Sequence, residues 1–264
     1  MHPTAVVDPG AELAAGVRVG PFCYVQSDVR IGADTVLVSH VTVLAHSTIG
    51  AACRLHPGAV VGDAPQDTAF SGEESYVRIG DRCAIREGVT IHRGTDPGSS
   101  TVVGDDCMLM ANSHLAHNVR LGDRVLLANN VMLAGHVEVG DRVFMGGAAA
   151  VHQFAGVGRV AMVSGYTTAK RDVPPFCITR ELSASVMGLN TVGLRRAGIS
   201  ADDRLQLKRA FKLLYRSELN VSQALERMES ELDGEPVREL VEFVRASKRG
   251  ILPGTDRRDA AAGS

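Results

Sequence analysis

Aromatic side chains are scarce in this sequence: tryptophan is absent, and Phe and Tyr together make up 4% of the 264 residues. Compact cores usually take much of their volume from aromatic side chains, so small branched side chains in many similar layers are expected here. The five cysteines form neither a CxxC pair nor a dense framework. They are therefore interpreted as buried free thiols in a reducing compartment, not as a disulfide scaffold.

Membrane and export signals are also lacking. No apolar run approaches about 18 residues, and the N-terminus, Met-His-Pro-Thr, has neither a basic nor an apolar leader region. The formal net charge of −2 gives no general reason to expect nucleic acid or an anionic membrane as a partner. With 45% apolar and 22% charged residues, the sequence predicts an ordinary globular protein of the cytoplasm.

What the sequence does contain is an aliphatic residue at every sixth position. The series starts with Val7, Leu13, Val19, Val25, Ile31, Leu37, Val43, Ile49, Leu55 and Val61. After a break it continues with Ile79, Ile85 and Ile91, and after a second break with Val103, Leu109, Leu115, Leu121, Leu127, Leu133, Val139, Met145, Val151, Val157 and Val163. Such a long series excludes a chance pattern.

A period of six fits neither the 3.6-residue period of an α-helix nor a heptad, and simple strand alternation would not single out every sixth residue. It is typical of a parallel β-helix, in which each short strand points one aliphatic residue inward and small residues turn the corners. Three strands then form an 18-residue triangular coil, and residues 18 apart stack at the usual strand spacing of about 4.8 Å.

The breaks and the end of the repeat predict the domain organisation. We expect a β-helix domain over residues 1–175 with loops at 63–77 and 93–101, both rich in Gly, Pro, Asp and Ser. A C-terminal helical domain is expected over 176–250, with helices at 200–217, 221–232 and 236–247 and a cap formed by Ser200 and Asp203. Residues 251–264 are expected to be a disordered tail.

Histidines are the main polar feature of the repeat region. Five of the nine fall in its second half: His92, His114, His117, His136 and His152. His117 lies two residues after the inward Leu115, and Gly135 lies two residues after the inward Leu133, so the coil stacks Gly135 beside His117. A glycine leaves its backbone N–H uncovered. The pair therefore combines a candidate general base with a candidate oxyanion donor.

Six segments resemble one family of acyltransferases. They are IHRGT (91–95), NSHLAHN (112–118), LANNVMLAGH (127–136), AVHQF (150–154), DVPP (172–175) and GLNTVGLRRAG (188–198). In these segments the chain resembles the hexapeptide-repeat UDP-N-acetylglucosamine O-acyltransferases of lipid A biosynthesis, and the resemblance covers nearly its whole length. The resemblance implies a left-handed parallel β-helix with a C-terminal α-helical domain, although the general rule for parallel crossovers is right-handed.

The resemblance also implies a reaction: transfer of a (3-hydroxy)fatty acyl group from acyl carrier protein to the 3-position of UDP-N-acetylglucosamine. His117 matches the family's general base, and the backbone N–H of Gly135 matches its oxyanion donor. Asp67, His114 and His136 match residues that position the acceptor sugar. His92, His152 and Gln153 match further pocket positions, while Asn190, Arg195 and Arg196 match positions near the nucleotide and its phosphates. Gly165 matches the acyl-chain ruler, and a glycine there implies an open groove for a longer chain.

Two positions depart from the family's familiar pattern: Ala69 stands where a Lys is expected, and Val192 where a Glu is usual. Either change is compatible with an acceptor that carries a 3-amino group, so the acceptor stays open between UDP-N-acetylglucosamine and this analogue. An acetyl-CoA-dependent nucleotide-sugar N-acetyltransferase is a second alternative. A zinc-dependent carbonic anhydrase and a non-catalytic scaffold are weaker ones, because HxxH on a strand splits its side chains between two faces and no regular Thr ladder is present.

Partners follow mainly from the resemblance. It implies acyl carrier protein as donor and a homotrimer with sites between neighbouring prisms, with no cofactor and no metal. From Arg195 to Arg216 the sequence contains seven Lys or Arg residues against two acidic ones. Because acyl carrier proteins are acidic, this basic segment could steer their docking, although an ordinary solvated helix face explains it equally well.

Overall fold

The computed structural model describes residues 1–255, and the sequence pattern there becomes a prism of short strands followed by four α-helices. The first nine strands are β1 (Val6–Val7), β2 (Glu12–Leu13), β3 (Arg18–Val19), β4 (Tyr24–Val25), β5 (Arg30–Ile31), β6 (Val36–Leu37), β7 (Thr42–Val43), β8 (Ser47–Ile49) and β9 (Arg54–Leu55). The next nine are β10 (Val60–Asp63), β11 (Tyr76–Ile79), β12 (Ala84–Ile85), β13 (Thr90–His92), β14 (Ser100–Val103), β15 (Met108–Leu109), β16 (His114–Leu115), β17 (Arg120–Leu121) and β18 (Leu126–Leu127). The last nine are β19 (Met132–Leu133), β20 (Glu138–Val139), β21 (Phe144–Met145), β22 (Ala150–Val151), β23 (Gly156–Val157), β24 (Met162–Val163), β25 (Thr168–Ala169), β26 (Cys177–Thr179) and β27 (Val186–Leu189).

Every third strand joins the same sheet, so the prism has three sides. Sheet A has the order β1-β4-β7-β10-β13-β16-β19-β22-β25 and sheet B the order β2-β5-β8-β11-β14-β17-β20-β23. Sheet C has the order β27-β26-β24-β21-β18-β15-β12-β9-β6-β3, in which only β26 and β27 pair antiparallel. The fold is the expected left-handed parallel β-helix with a C-terminal α-helical region.

The six-residue series forms the core, as predicted. Leu115 pairs with Leu133 and Leu133 with Val151, so the inward residues of successive coils lie above one another. Leu115 and Leu133 are completely buried, and the one core cluster continues along the prism. All five cysteines are buried free thiols, as expected from their scattered positions. The many-layered aliphatic core explains how the protein folds with few aromatic side chains.

The corners of the prism have their own period of six. Asn118, His136 and Phe154 follow three residues after an inward aliphatic residue, and each has a positive φ near 60°. The strain is offset by hydrogen bonds between coils, since the N–H of His136 donates to the His117 carbonyl oxygen at 3.0 Å. A side chain at such a corner is held in one direction, which is what a catalytic group requires.

The helical region contains α1 (Thr191–Arg196), α2 (Ala201–Tyr215), α3 (Val221–Glu231) and α4 (Glu235–Ala246). The last three agree closely with the predicted helices, and Ser200 caps α2 by accepting a hydrogen bond from the Asp203 N–H. The first part of the predicted tail is ordered, which corrects that expectation. Ile251 bridges to Asp172, and Leu252 is buried in the prism core, because α4 returns the chain to the end of the prism. The rest of the predicted tail, 256–264, lies outside the described residues.

Candidate active site

One corner of the prism carries most of the candidate residues. At this A–B corner the chain passes from a strand of sheet A to the next strand of sheet B. Residues 64–75 connect β10 to β11 and residues 93–99 connect β13 to β14, so both long loops leave the prism there. β10, β11 and β14 extend one or two residues into the segments expected as loops. His117, Gly135, His136, His152 and Gln153 lie at the same corner in successive coils.

His117 and Gly135 stack as the 18-residue coil predicts. The His117 side chain lies so close to Gly135 that a Cβ built on the glycine would be 2.3 Å from His117 Cε1 and 2.5 Å from Nε2. Within residues 1–255 the Gly135 N–H has no hydrogen-bond acceptor. At a neighbouring corner the equivalent N–H of Asp105 is capped by the Asp123 carboxylate at 2.8 Å. The Gly135 N–H is therefore free to donate to a ligand beside the imidazole.

His117 has a polar side chain near each ring nitrogen. It is 8% exposed, its Nδ1 lies 3.0 Å from Asn118 Oδ1, and its Nε2 lies 3.8 Å from Asp67 Oδ2. Asp67 belongs to the loop 64–75, in which its other carboxylate oxygen accepts a hydrogen bond from the Ala69 N–H at 2.9 Å. Asn118 is tied to the loop 93–99 through Thr95. The two loops thus enclose the imidazole, one from each side.

Three further histidines lie at or beside this corner, and burial disfavours their charged forms. Burial, together with the neighbouring His92, lowers the pKa of His114 to about 4, and its Nδ1 lies 2.7 Å from Thr90 Oγ1. Burial also lowers the pKa of His92 and, with the charge of His117, that of His136. The His136 ring meets His117 edge to face at 5.2 Å. These rings can therefore donate and accept hydrogen bonds without adding positive charge to the site.

The upper part of the corner is more open. His152 is exposed, and its Nδ1 lies 3.2 Å from the Gln153 carbonyl oxygen and 3.4 Å from Arg249 Nη2. Gln153 stands one coil above Gly135, because Leu133 and Val151 pair in register. Phe154 stacks on His136 with 4.7 Å between ring centroids. A cavity of about 490 Å³ begins at this stacked pair and extends below the end of α4.

Four of the predicted residues lie elsewhere in the chain. Gly165 follows β24 of sheet C and precedes β25 of sheet A, so it occupies the C–A corner. Arg195 and Arg196 are exposed in the last turn of α1. The Asn190 side chain accepts from the Gly193 N–H and donates to the Val160 carbonyl oxygen, so it caps this helix. A single chain does not bring these four residues to His117.

Sequence reasoning missed Asn118 and Thr95 as functional candidates. Both were quoted within the family segments, but no role was assigned to them. The signal was present, because a polar residue directly after a candidate base at a corner can reach the base's second nitrogen. Within residues 1–255, no group of three His, Cys, Asp or Glu side chains could share a metal ion. In the same part of the chain, every helix is too short or too polar to cross a bilayer.

Known families match parts of this chain, and known proteins and solved structures are similar to it over most of its length. Residues 172–252 match the family described as Udp N-acetylglucosamine O-acyltransferase, domain 2, and residues 100–135 match the bacterial transferase hexapeptide family. A relative from Anaeromyxobacter sp. (strain Fw109-5), named acyl-[acyl-carrier-protein]–UDP-N-acetylglucosamine O-acyltransferase, is 44% identical and covers 95% of this chain and 98% of its own. A relative of the same name from Rhizobium johnstonii is 40% identical and covers 97% of this chain and 95% of its own. The crystal structure of the UDP-N-acetylglucosamine O-acyltransferase from Moraxella catarrhalis is similar, with a TM-score of 0.91 and 39% identity. The similarity covers 95% of this chain and 98% of that chain.

Proposed function

The chain belongs to the acyl-[acyl-carrier-protein]–UDP-N-acetylglucosamine O-acyltransferases, and we propose that it carries out the family's reaction at the A–B corner. In this reaction a (3-hydroxy)fatty acyl group moves from acyl carrier protein to the 3-position of UDP-N-acetylglucosamine, the first step of lipid A biosynthesis. The observation that carries the proposal is the His117 imidazole stacked against the uncovered N–H of Gly135.

His117 is the general base in this proposal. In this proposal Nδ1 carries the proton and donates to Asn118 Oδ1, 3.0 Å away, which leaves the Nε2 lone pair for the acceptor. Nε2 takes the proton of the sugar 3-hydroxyl while that oxygen attacks the thioester carbonyl carbon. When the tetrahedral intermediate collapses, the C–S bond breaks and the imidazolium returns the proton to the carrier's thiolate. The Asp67 carboxylate at 3.8 Å stabilises the imidazolium between these two steps.

The Gly135 N–H is the proposed oxyanion donor. The thioester oxygen gains negative charge in the tetrahedral intermediate, and a fixed N–H donor next to the base stabilises that charge without reorganisation. Because His92, His114 and His136 are kept neutral by burial, they serve to hold the hydroxyl groups of the acceptor sugar. His152 and Gln153 continue the pocket above, where the nucleotide leads away from the reacting carbon.

A trimer would complete the nucleotide site. Asn190, Arg195 and Arg196 are distant from His117 in one chain, and arginine pairs suit phosphate, so we assign them to the site of a neighbouring subunit. The outer face of sheet C supports self-association. Met108, Leu126, Phe144 and Met162 form an apolar column there, whereas Arg30, Arg78, Arg120 and Glu138 point outward from sheet B. Such an apolar face is expected to be covered by another copy.

The acyl chain would leave His117 along the outer face of sheet A. Gly165 lies at the C–A corner nearly three coils farther along the prism, because β16, β19, β22 and β25 are successive strands of this sheet. The separation is about 20 Å across the face and about 13 Å along the axis, whereas an extended fatty acyl chain spans about 15 Å, so we assign the limiting Gly165 to a neighbouring subunit. Met132, which is 51% exposed on this face, offers an apolar contact along the way. Gly165 then limits the chain at the far end, where a Cβ would meet backbone atoms of Gly147 and the Glu181 carboxylate.

The donor and the location follow from the same assignment. Lys208, Arg209 and Lys212 are exposed on one side of α2, which suits docking of an acidic acyl carrier protein. Five buried free thiols are compatible with the reducing cytoplasm, where we place the reaction.

The direct test is transfer of a 3-hydroxyacyl group from acyl carrier protein to UDP-N-acetylglucosamine and to its 3-amino analogue, with the products identified by mass spectrometry. An O-acylated product supports the proposal. Formation of only the N-acylated product would show that the acceptor is the 3-amino analogue. Activity with acetyl-CoA but not with acyl carrier protein would overturn the assignment. A His117→Ala variant in the same assay tests the base.

A further inference from the structure

The His117–Asn118 contact raises a question about the asparagine amide. An amide presents an oxygen that accepts and an NH2 group that donates. If the oxygen faces His117 Nδ1, the ring carries its proton on Nδ1, and Nε2 keeps the lone pair that a base needs. If the NH2 group faces Nδ1, the proton moves to Nε2 and the ring cannot accept a proton from the acceptor hydroxyl.

Thr95 decides this orientation. Asn118 Oδ1 lies 3.0 Å from the Thr95 backbone nitrogen and 3.0 Å from Thr95 Oγ1. A backbone N–H can only donate, so the atom opposite it must be the amide oxygen. The Thr95 hydroxyl also lies 3.5 Å from Asp96 Oδ2, but the shorter contact is with Asn118. Two donors on Thr95 therefore hold the oxygen toward His117.

We propose that Thr95 is a positioning residue that sets the tautomer of His117 by fixing the orientation of the Asn118 amide. The proposal rests on the function of His117 as the base. It gives the loop 93–99 a role, since this loop carries Thr95. The loop is anchored by the Ser75 hydroxyl, which donates to the Gly94 carbonyl oxygen at 2.6 Å. Since Ser75 ends the loop that carries Asp67, the groups on both ring nitrogens of His117 are tied to one another.

The orientation matters because Asn118 is an amide and not a carboxylate. A carboxylate accepts on both oxygens and cannot present a donor to Nδ1, whatever Thr95 does. Loss of the Thr95 hydroxyl should therefore lower activity when residue 118 is Asn and have little effect when residue 118 is Asp. This dependence on residue 118 distinguishes tautomer control from a general structural role of Thr95.

The experiment is a double-mutant cycle with Thr95→Val, Asn118→Asp and the combined variant, measured as kcat/KM for UDP-N-acetylglucosamine. Thr95→Val removes the hydroxyl and keeps the backbone N–H, so it is expected to lower kcat/KM about five-fold, the effect of losing one of the two hydrogen bonds that hold the amide oxygen. Thr95→Ser should restore activity. In the Asn118→Asp background the same Thr95→Val change should cost less than about two-fold. An equal loss in both backgrounds, or no loss in either, overturns the proposal.

Thr101→Val is the matched control. Thr101 Oγ1 accepts a hydrogen bond from the backbone N–H of Asn118 at 2.9 Å but does not touch the amide. This variant should lower the melting temperature and leave the Thr95–Asn118 coupling unchanged.

A second readout does not depend on activity. ¹⁵N NMR of histidine-labelled protein should show the Nδ1–H tautomer of neutral His117 in the wild type and a larger share of Nε2–H in Thr95→Val. An unchanged tautomer in Thr95→Val rejects the role of Thr95 even if His117 is the base. Conversely, an active His117→Ala variant would reject the base and leave the tautomer result standing.

Discussion

The His117 imidazole occupies the space that a side chain at position 135 would need. A Cβ on Gly135 would lie within 2.3 Å of His117 Cε1, closer than real Cβ contacts allow. The φ angle of Gly135 is not in the left-handed region, so steric exclusion, not backbone strain, requires the glycine. The Gly135 N–H, in addition, has no acceptor within residues 1–255, because no side chain from the next coil caps it as Asp123 caps the N–H of Asp105. One residue therefore makes room for the base and supplies the donor beside it.

We predict that Gly135→Ala lowers kcat/KM by about 100-fold or more, because the new methyl group displaces the imidazole by a large fraction of an ångström. Gly188→Ala is the control, since a Cβ there would meet only Ile178 Cγ2 at 3.9 Å. Thermal unfolding gives a second check. Gly135→Ala should destabilise the wild type but add little to His117→Ala, in which the ring is gone. Equal destabilisation in both backgrounds would show that the alanine meets something else.

His117→Ala should reduce kcat by about 10²- to 10⁴-fold, the usual contribution of a positioned general base. The melting temperature should stay close to that of the wild type, because the ring lies at a corner and outside the aliphatic core. His40→Ala is a suitable control, since His40 is exposed at the C–A corner and its ring contacts the exposed Phe22 at a tilt. Activity within a few-fold of the wild type would rule out His117 as the base.

The coil made part of this site predictable from sequence. Because successive coils repeat in register, counting 18 residues from Leu115 to Leu133 was enough to place Gly135 beside His117. The same count fails across an insertion: Thr90 pairs with His114, 24 residues away. The contact of Thr95 with Asn118 therefore could not be predicted by counting residues. It depends on the path of the loop 93–99, which tertiary contacts fix.

The helical region was predictable only where local signals exist. The Ser200 cap and the apolar periodicity defined α2, and both are local in sequence. The ordered strand-like contacts of Ile251 and Leu252 are long-range, because they pair with Asp172 after the whole helical region has intervened. Composition suggested a disordered tail there, and only the return of α4 to the prism explains the order.

Stability should depend on pH through the buried histidines. Because burial lowers the pKa of His114 from 6.5 to about 4, the folded protein keeps this ring neutral where the unfolded chain protonates it. The unfolded state then binds more protons, so the free energy of unfolding falls as the pH decreases from about 6.5 to about 4 and levels off below.

Chemical denaturation across this pH window reports the number of protons that the protein takes up on unfolding. His114→Asn should lower that number by up to about one. Thr90→Val, which lacks the hydroxyl beside His114 Nδ1 but keeps the imidazole, should retain the dependence. If His114→Asn and the wild type lose stability equally with falling pH, His114 does not contribute.

Assembly can be tested on the outer face of sheet C. Phe144→Asp places a carboxylate in the proposed apolar interface, where an unpaired charge is costly. Light scattering should then show dissociation of the trimer, together with loss of transfer activity. Val102→Asp, on the outer face of sheet B, should leave both unchanged. An active wild-type monomer, or a fully active and trimeric Phe144→Asp variant, would contradict the shared site.

The last prediction concerns Gly165 and the length of the acyl group. If the acyl chain starts at His117 of one subunit and ends at the C–A corner of a neighbour, a side chain at position 165 shortens the space at its far end. A Cβ there would lie 3.2 Å from the Gly147 carbonyl oxygen, so a longer side chain must extend away from the backbone into the groove. Gly165→Met should therefore raise the ratio of kcat/KM for a short 3-hydroxyacyl donor to that for a long one, and Gly165→Ala should do so less. The KM for UDP-N-acetylglucosamine should not change, because the acceptor binds at the other corner. A fall in activity with all donors equally would mean that Gly165 does not mark the end of the groove.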